Sequence, residues 1–236
     1  FLPDVRRILA LLPKERQTLL FSATMPAEIG ALAAEYLQNP LEVDVNTRQA
    51  LRTITHAAYQ VQNDQKYGAL LGMIPLAGDG QVLVFTRTKH RAKKLAQKLD
   101  QAGIGAIGLQ GNLSQNRRQE AMDSFRSGRV QVMVATDIAA RGIDVSRVKL
   151  VINYDLPDTG EAYTHRTGRT GRMEQLGTAL SLITAEDGAM VRTIERRLGK
   201  PLQRRSVESL QVRLEPIGEA QLFKRDPNPA RRPRQE

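Results

Sequence analysis

QVLVFTRTKHRAKKLAQKLDQAGIGAIGLQ, residues 81–110, decides the fold class. It opens on QVLVFT (81–86), an apolar run that reads as a buried strand. KHRAKKLAQKLDQ (89–101) then carries apolar residues at helical spacing, and Gly103 stands where a helix C′ residue is expected. IGAIGLQ (104–110) is a second strand. GIGAIG (103–108) also matches GxGxxG, the dinucleotide fingerprint. That fingerprint needs a strand before it and a helix after it, so that pyrophosphate meets a helix N-terminus. Here the order is reversed, and Gly103 reads as a helix cap.

The same alternation extends in both directions. ITHAAYQV (54–61) alternates like a strand, and DQKYGALLGMI (64–74) is helical. SQNRRQEAMDSFRSG (114–128) is a helix with Ser114 as N-cap and Gly128 at its end. VQVMVAT (130–136), KLVINYD (149–155) and TALSLI (178–183) are further strands, with helices near 159–168 and 186–198. Upstream, RQTLLFS (16–22) reads as a buried strand, PAEIGALAAEYLQ (26–38) as a helix and LEVDV (41–45) as a short strand. NTRQALRT (46–53) has no clear period and reads as a linker. Strands alternating with helices give a mainly parallel sheet covered on both faces. From Lys200 the chain changes character and ends in KRDPNPARRPRQE, a basic, proline-containing tail.

Composition narrows the function classes. Of 236 residues, 41% are hydrophobic, enough to bury a core. A formal net charge of +10 points to an acidic partner, nucleic acid first. With no cysteine, zinc–thiolate sites and thiol chemistry are excluded, and three scattered histidines offer no metal-binding spacing. No apolar run approaches the roughly 20 residues that span a bilayer, and no signal peptide is evident, so a cytoplasmic location is expected. The chain opens on FLPDVRR, without methionine, and reads as a fragment entered in mid-helix. No GxxxxGK[ST] occurs, so the ordinary loop for holding a nucleoside triphosphate is missing from it.

Ligands of α/β sheets bind outside the carboxyl ends of strands. After 16–22 comes SAT (22–24). Thr86 and Arg87 follow 81–85, Gln110–Gly111–Asn112 follow 104–109, and TDIAARGID (136–144) follows 130–135. HRTGRTGR (165–172) lies one helix beyond 149–155. Hydroxyls, glycines, arginines and aspartates are thereby expected on one edge, where they suit phosphate and sugar. Each has a plainer reading alone: Asp137 as a helix cap, Asp144 as a partner of Arg141. Their joint order favours a site.

SAT, VFTRT, QGNLSQNRR, VATDIAARGIDV and YTHRTGRTGR together resemble motifs III to VI of the DEAD-box RNA helicases, over about residues 1–200. The wording is similar to the bacterial RhlE-like subgroup. The resemblance implies a RecA-like three-layer α/β/α domain with a mainly parallel sheet, preceded by a remnant of another. Residues 1–45 would end the first RecA-like domain, 46–53 link, 54–200 form the second and 201–236 a partly disordered tail.

It further implies roles. Arg169 and Arg172 match arginine fingers that reach the γ-phosphate, and Gly142 and Asp144 match the ATP-ribose position. Ser22, Thr24, His165 and Arg166 match residues that couple the two domains. Thr86, Gly111, Gln115, Arg118 and Thr136 match the grip on the RNA backbone, which carries little base information. ATP and Mg2+ would be held mainly by the first domain, and this chain would bind no metal itself. RNA, the N-terminal RecA-like domain and RNA-processing or ribosome-assembly proteins are the implied partners, with no membrane. Gln110 and Asn112 replace the family's usual His and Asp, Thr167 its isoleucine, and MEQLG (173–177) its usual small residues. A stand-alone, non-catalytic RNA-binding module is the alternative, and sequence upstream of Phe1 discriminates the two.

Overall fold

The computed structural model describes residues 2–22, 25, 27–43, 54–140, 147–171 and 176–210. The chain divides into two compact units, Phe1–Thr47 and Arg48–Glu236.

The first unit holds helices α1 (Leu2–Ala10) and α2 (Ala27–Tyr36), joined by an Arg6–Glu35 ion pair at 2.9 Å. Neither helix has a buried residue. Residues 16–22, expected as a buried strand, form none, and neither do 41–43; 44 and 45 lie outside the described residues. The reason is physical. A strand exists through its ladder, and among the described residues nothing pairs with these segments. Phe21 and Leu41 are each 90% exposed.

The second unit is built on a seven-stranded parallel sheet of order β3-β4-β2-β5-β6-β1-β7. Its strands are β1 (Ile54–Gln60), β2 (Gln81–Phe85), β3 (Ala106–Leu109), β4 (Val132–Ala135), β5 (Val148–Asn153), β6 (Gly177–Ile183) and β7 (Gln203–Arg205). Helices α3 (Lys66–Met73), α4 (Lys89–Gln101), α5 (Gln115–Arg126), the single turn α6 (Asp137–Ala140), α7 (Gly160–Thr167) and α8 (Gly188–Leu198) connect them.

Strand side chains alternate between faces, so each buried strand feeds two cores. Val82 and Val84 pack with Leu70 and Met73 of α3 and Leu95 and Leu99 of α4. Leu83 and Phe85 pack on the opposite face with Met122 and Phe125 of α5. Ala58 and Ile183 join Tyr163 of α7 and Ile194 of α8. The caps follow the sequence: Ser114 accepts from the Arg117 amide, and Gly103 and Gly128 end their helices at φ +80° and +78°.

β7 lies in the stretch read as tail. It pairs with β1 over Ala57–Tyr59, and Leu202 and Leu210 beside it are buried. The linker 46–53 and residues 211–236 of the tail lie outside the described residues.

Candidate functional site

Because all strands run parallel, the turns after β2, β3, β4 and β5 share one edge of the sheet. Thr86 begins the first of them. It is fully buried, its amide donates to Ala135 O (3.0 Å) and its hydroxyl to Thr88 O (3.3 Å). Its side chain therefore shapes the turn and is not on offer to a ligand. Thr88 caps α4 by accepting from the Arg91 amide.

The β3–α5 turn is open. The Asn112 amide donates to Gln110 Oε1 (3.0 Å), and Lys89 Nζ donates to Asn112 Oδ1 (3.3 Å). The two residues that depart from the family pattern thus fold this turn themselves. Gly111 is exposed with no atom near its missing Cβ, so a backbone ligand can approach closely. Gln115 is exposed in the first turn of α5, and Arg118 one turn on donates from Nη2 to Ala139 O (2.7 Å). Thr136, half-buried, precedes Asp137 after β4.

Arg166 is the centre of this edge. It is 2% exposed. Nε and Nη2 donate to the two carboxylate oxygens of Asp137 at 2.6 and 2.7 Å, a bidentate pair. Nη1 donates to Asn153 Oδ1 (3.1 Å) and to Asp155 O (2.7 Å), and the guanidinium lies 5.0 Å from the Phe85 ring centre. The resemblance gives Arg166 a role in coupling two domains; its donors here are spent on Asp137, Asn153 and Asp155 of its own domain. Asp137 is the first residue of α6, one past the cap position at Thr136, and its carboxylate holds Arg166. His165, exposed one residue earlier, lies 3.9 Å from Glu161.

Arg169 stands elsewhere. Helix α7 runs back along the sheet from the end of β5. Its amide bonds continue past Thr167, with Arg169 N–H donating to Arg166 O (3.1 Å). Thr170 Oγ1 donates to Val148 O (2.6 Å), at the first residue of β5. Gly171, at φ +69°, lies against Gly177, the first residue of β6. Arg169 is therefore beside the starts of β5 and β6, and does not gather with Thr86, Gly111 and Thr136 on one edge. Thr167 is fully buried and donates to Tyr163 O (3.0 Å), an internal role. Tyr163 anchors α7 through a 3.0 Å bond with His56 Nδ1, and burial pushes its hydroxyl pKa well above the usual tyrosine value.

Gly177 is a requirement of this turn. A Cβ there would fall 2.5 Å from the Gly171 nitrogen and 2.6 Å from Thr170 Oγ1. Gly177→Ala is expected to lower the chain's unfolding free energy by about 1–3 kcal/mol in urea titration, the range for forced overpacking. An unchanged midpoint would show that the turn yields freely.

Ser22 is exposed in the first unit. Thr24, Gly142, Asp144 and Arg172 lie outside the described residues. Sequence reasoning missed Asp155, a buried acid contacted by Lys66, Arg87 and Arg91. Its signal was an acid placed directly after the apolar strand of KLVINYD. Among the described residues no group of three His, Asp or Glu is arranged to hold a metal ion, and no helix is long and apolar enough to cross a membrane.

Comparison with known proteins agrees with this fold. The helicase conserved C-terminal domain matches residues 65–174. CshA, a DEAD-box ATP-dependent RNA helicase of Bacillus subtilis (strain 168), is 38% identical over 91% of this chain and 44% of its own length. The chain thus spans about half the length of the curated relatives it matches. The E. coli DEAD-box protein SrmB, solved with regulator of ribonuclease activity A, shares 37% identity and a TM-score of 0.61, over 66% of this chain and 93% of that one. S. cerevisiae Dbp5, solved with RNA and ADP BeF3, aligns at a TM-score of 0.80 and 29% identity over 89% of this chain and 56% of its own. With its parallel RecA-like sheet, its motif series and these likenesses, the chain belongs to the DEAD-box helicase family, of which it carries the C-terminal helicase domain.

Proposed function

We propose that this chain is the C-terminal part of the core of an ATP-dependent RNA helicase that opens or remodels short RNA duplexes. The observation that carries the reading is the division of the second unit into a donor-rich strand-end edge and a braced arginine turn, Arg169–Gly171, apart from it. Residues 54–200, extended by β7, act as the second RecA-like domain. Residues 1–45 act as the end of the first, 46–53 as the linker and the remainder as a basic tail. The exposed Phe21 and Leu41 support this, since such residues need a packing partner of the kind a larger domain supplies.

On the strand-end edge, Gly111, Gln115, Arg118 and Thr136 would meet the RNA backbone, with Thr86 shaping the adjoining turn. Arg169 and Arg172 would meet the γ-phosphate of ATP, and Gly142 and Asp144 its ribose. Ser22, Thr24 and His165 would couple the domains, with Arg166 contributing from inside. The described residues of this chain are cationic and rich in N–H donors, which suits phosphate oxygens; Mg2+ would be held by the first domain. The motif wording supports the RhlE-like subgroup and, with it, RNA-processing or ribosome-assembly partners; a cytoplasmic location belongs to the same reading.

The test compares the complete protein with the purified chain. RNA-stimulated ATP hydrolysis is expected in the first and none in the second. Hydrolysis by the chain alone would overturn the division of labour. RNA affinity should depend steeply on salt, because phosphate contacts release counterions. Binding to a short RNA by fluorescence anisotropy should weaken about 10- to 100-fold between about 50 and 200 mM salt. A flat response would count against a backbone grip.

A further inference from the structure

One buried residue joins the two separated parts of this site, its carboxylate to one turn and its backbone carbonyl to Arg166. Asp155, 2% exposed, follows β5. Its amide donates to Phe85 O (3.2 Å), continuing the β2–β5 ladder. Its Oδ2 accepts from the Arg87 amide (2.9 Å), and its Oδ1 from Arg91 Nη1 (2.8 Å) and Lys66 Nζ (3.5 Å). The side chain thereby holds the turn between β2 and α4. The carbonyl of the same residue accepts from Arg166 Nη1 (2.7 Å). Arg166 is held in turn by Asp137, the neighbour of Thr136 in the β4–α6 turn.

Both strand-end turns therefore terminate on one guanidinium, and that guanidinium belongs to α7. Arg166 is the seventh of the eight residues of α7, and its own carbonyl accepts from the Arg169 amide (3.1 Å), so one turn of backbone separates the guanidinium's anchor from Arg169. The turn that carries Arg169 lies beside Val148 and Gly177. A buried ionic network of this kind adds little net stability compared with apolar packing. What it does provide is fixed geometry, since every donor and acceptor constrains the others.

We propose that Asp155 is a positioning residue that transmits engagement of RNA at the strand-end edge to Arg169 through Arg166, the β4–α6 turn meeting the RNA directly and the β2–α4 turn feeling it through the Lys89–Asn112 bond. This rests on the function proposed above. Movement of either turn shifts an acceptor of Arg166. The guanidinium follows its acceptors because it is sealed from water. The short helix follows the guanidinium, and the arginine turn moves with it.

Asp155→Asn combined with Lys66→Met removes one buried charge of each sign, which keeps the interior balanced. In the complete protein, three quantities are measured: RNA affinity, ATP turnover with and without saturating RNA, and melting temperature. The expected result is a loss of RNA stimulation by about 10-fold, with RNA affinity changed less than about threefold. Stimulation within about twofold of wild type would overturn the proposal, and so would a parallel fall in affinity, both turnovers and melting temperature. Should the double variant not fold, Arg91→Ala decides, because that side chain is partly exposed. It should lower stimulation about threefold, with recovery in Arg91→Lys, and no change would overturn the proposal. Wild-type protein without RNA stimulation would instead overturn the proposed function itself.

Discussion

In the complete protein, Arg169→Ala is expected to lower RNA-stimulated ATP hydrolysis by about 10³-fold or more, the effect of losing an arginine finger. The structure explains why so large an effect is reasonable. A finger acts on charge that develops during phosphoryl transfer, so its value depends on being in place beforehand. The Arg169 backbone is fixed on both sides: its amide bonds to Arg166 O (3.1 Å), and Thr170 is tied to Val148 (2.6 Å). Gly171 makes the sharp turn at φ +69°, which only glycine adopts readily. Lysine at 169 should recover little, because a point charge cannot form the planar fork. RNA affinity should change less than about threefold, since Arg169 lies away from the strand-end turns and backbone grip is shared among many contacts. Turnover within about twofold of wild type would sink the assignment.

The sequence disclosed the second unit well and the site less well, for different physical reasons. Local signals sufficed where structure is locally determined. The apolar period of KHRAKKLAQKLDQ and the glycine after it became α4 and a left-handed Gly103. The failures all concern long-range partners. RQTLLFS has the pattern of a strand, but pattern supplies no neighbour to pair with. QRR at 203–205 has no pattern of a strand, yet it covers the edge of β1, which would otherwise present unpaired backbone. In the site, spacing alone makes Arg166, Arg169 and Arg172 look equivalent, although the family resemblance gives Arg166 a separate role. They are not, because α7 ends at Thr167. Arg166 is still helical and turns inward, whereas Arg169 lies beyond the helix and is carried to the other end of β5. Motif order gave the ingredients of both edges; only the length and direction of α7 separate them.

Arg166→Ala should be the most damaging single substitution to stability among those considered, lowering the unfolding free energy by about 3–5 kcal/mol, as expected when one partner of a buried ionic network is removed. Four hydrogen bonds end on this side chain, at 2.6, 2.7, 2.7 and 3.1 Å. Its loss leaves Asn153 Oδ1 and Asp155 O without that donor in a site that is closed to water, and each orphaned buried acceptor costs about 1–3 kcal/mol. The contact with Phe85 is lost as well, opening space in the core. One discount applies. The Asp137 side chain is 46% exposed, so water can take over part of its carboxylate. That places the whole below the simple sum of its parts. Arg166→Lys should recover only a minor share, since one ammonium cannot serve Asp137 bidentately and reach Asn153 and Asp155 together. Urea unfolding of the purified chain measures this directly, and an unchanged m-value would confirm that the folded state remains compact. A loss under about 1 kcal/mol would mean that water replaces the guanidinium's bonds, and that Arg166 is an accessory to this fold and not its brace.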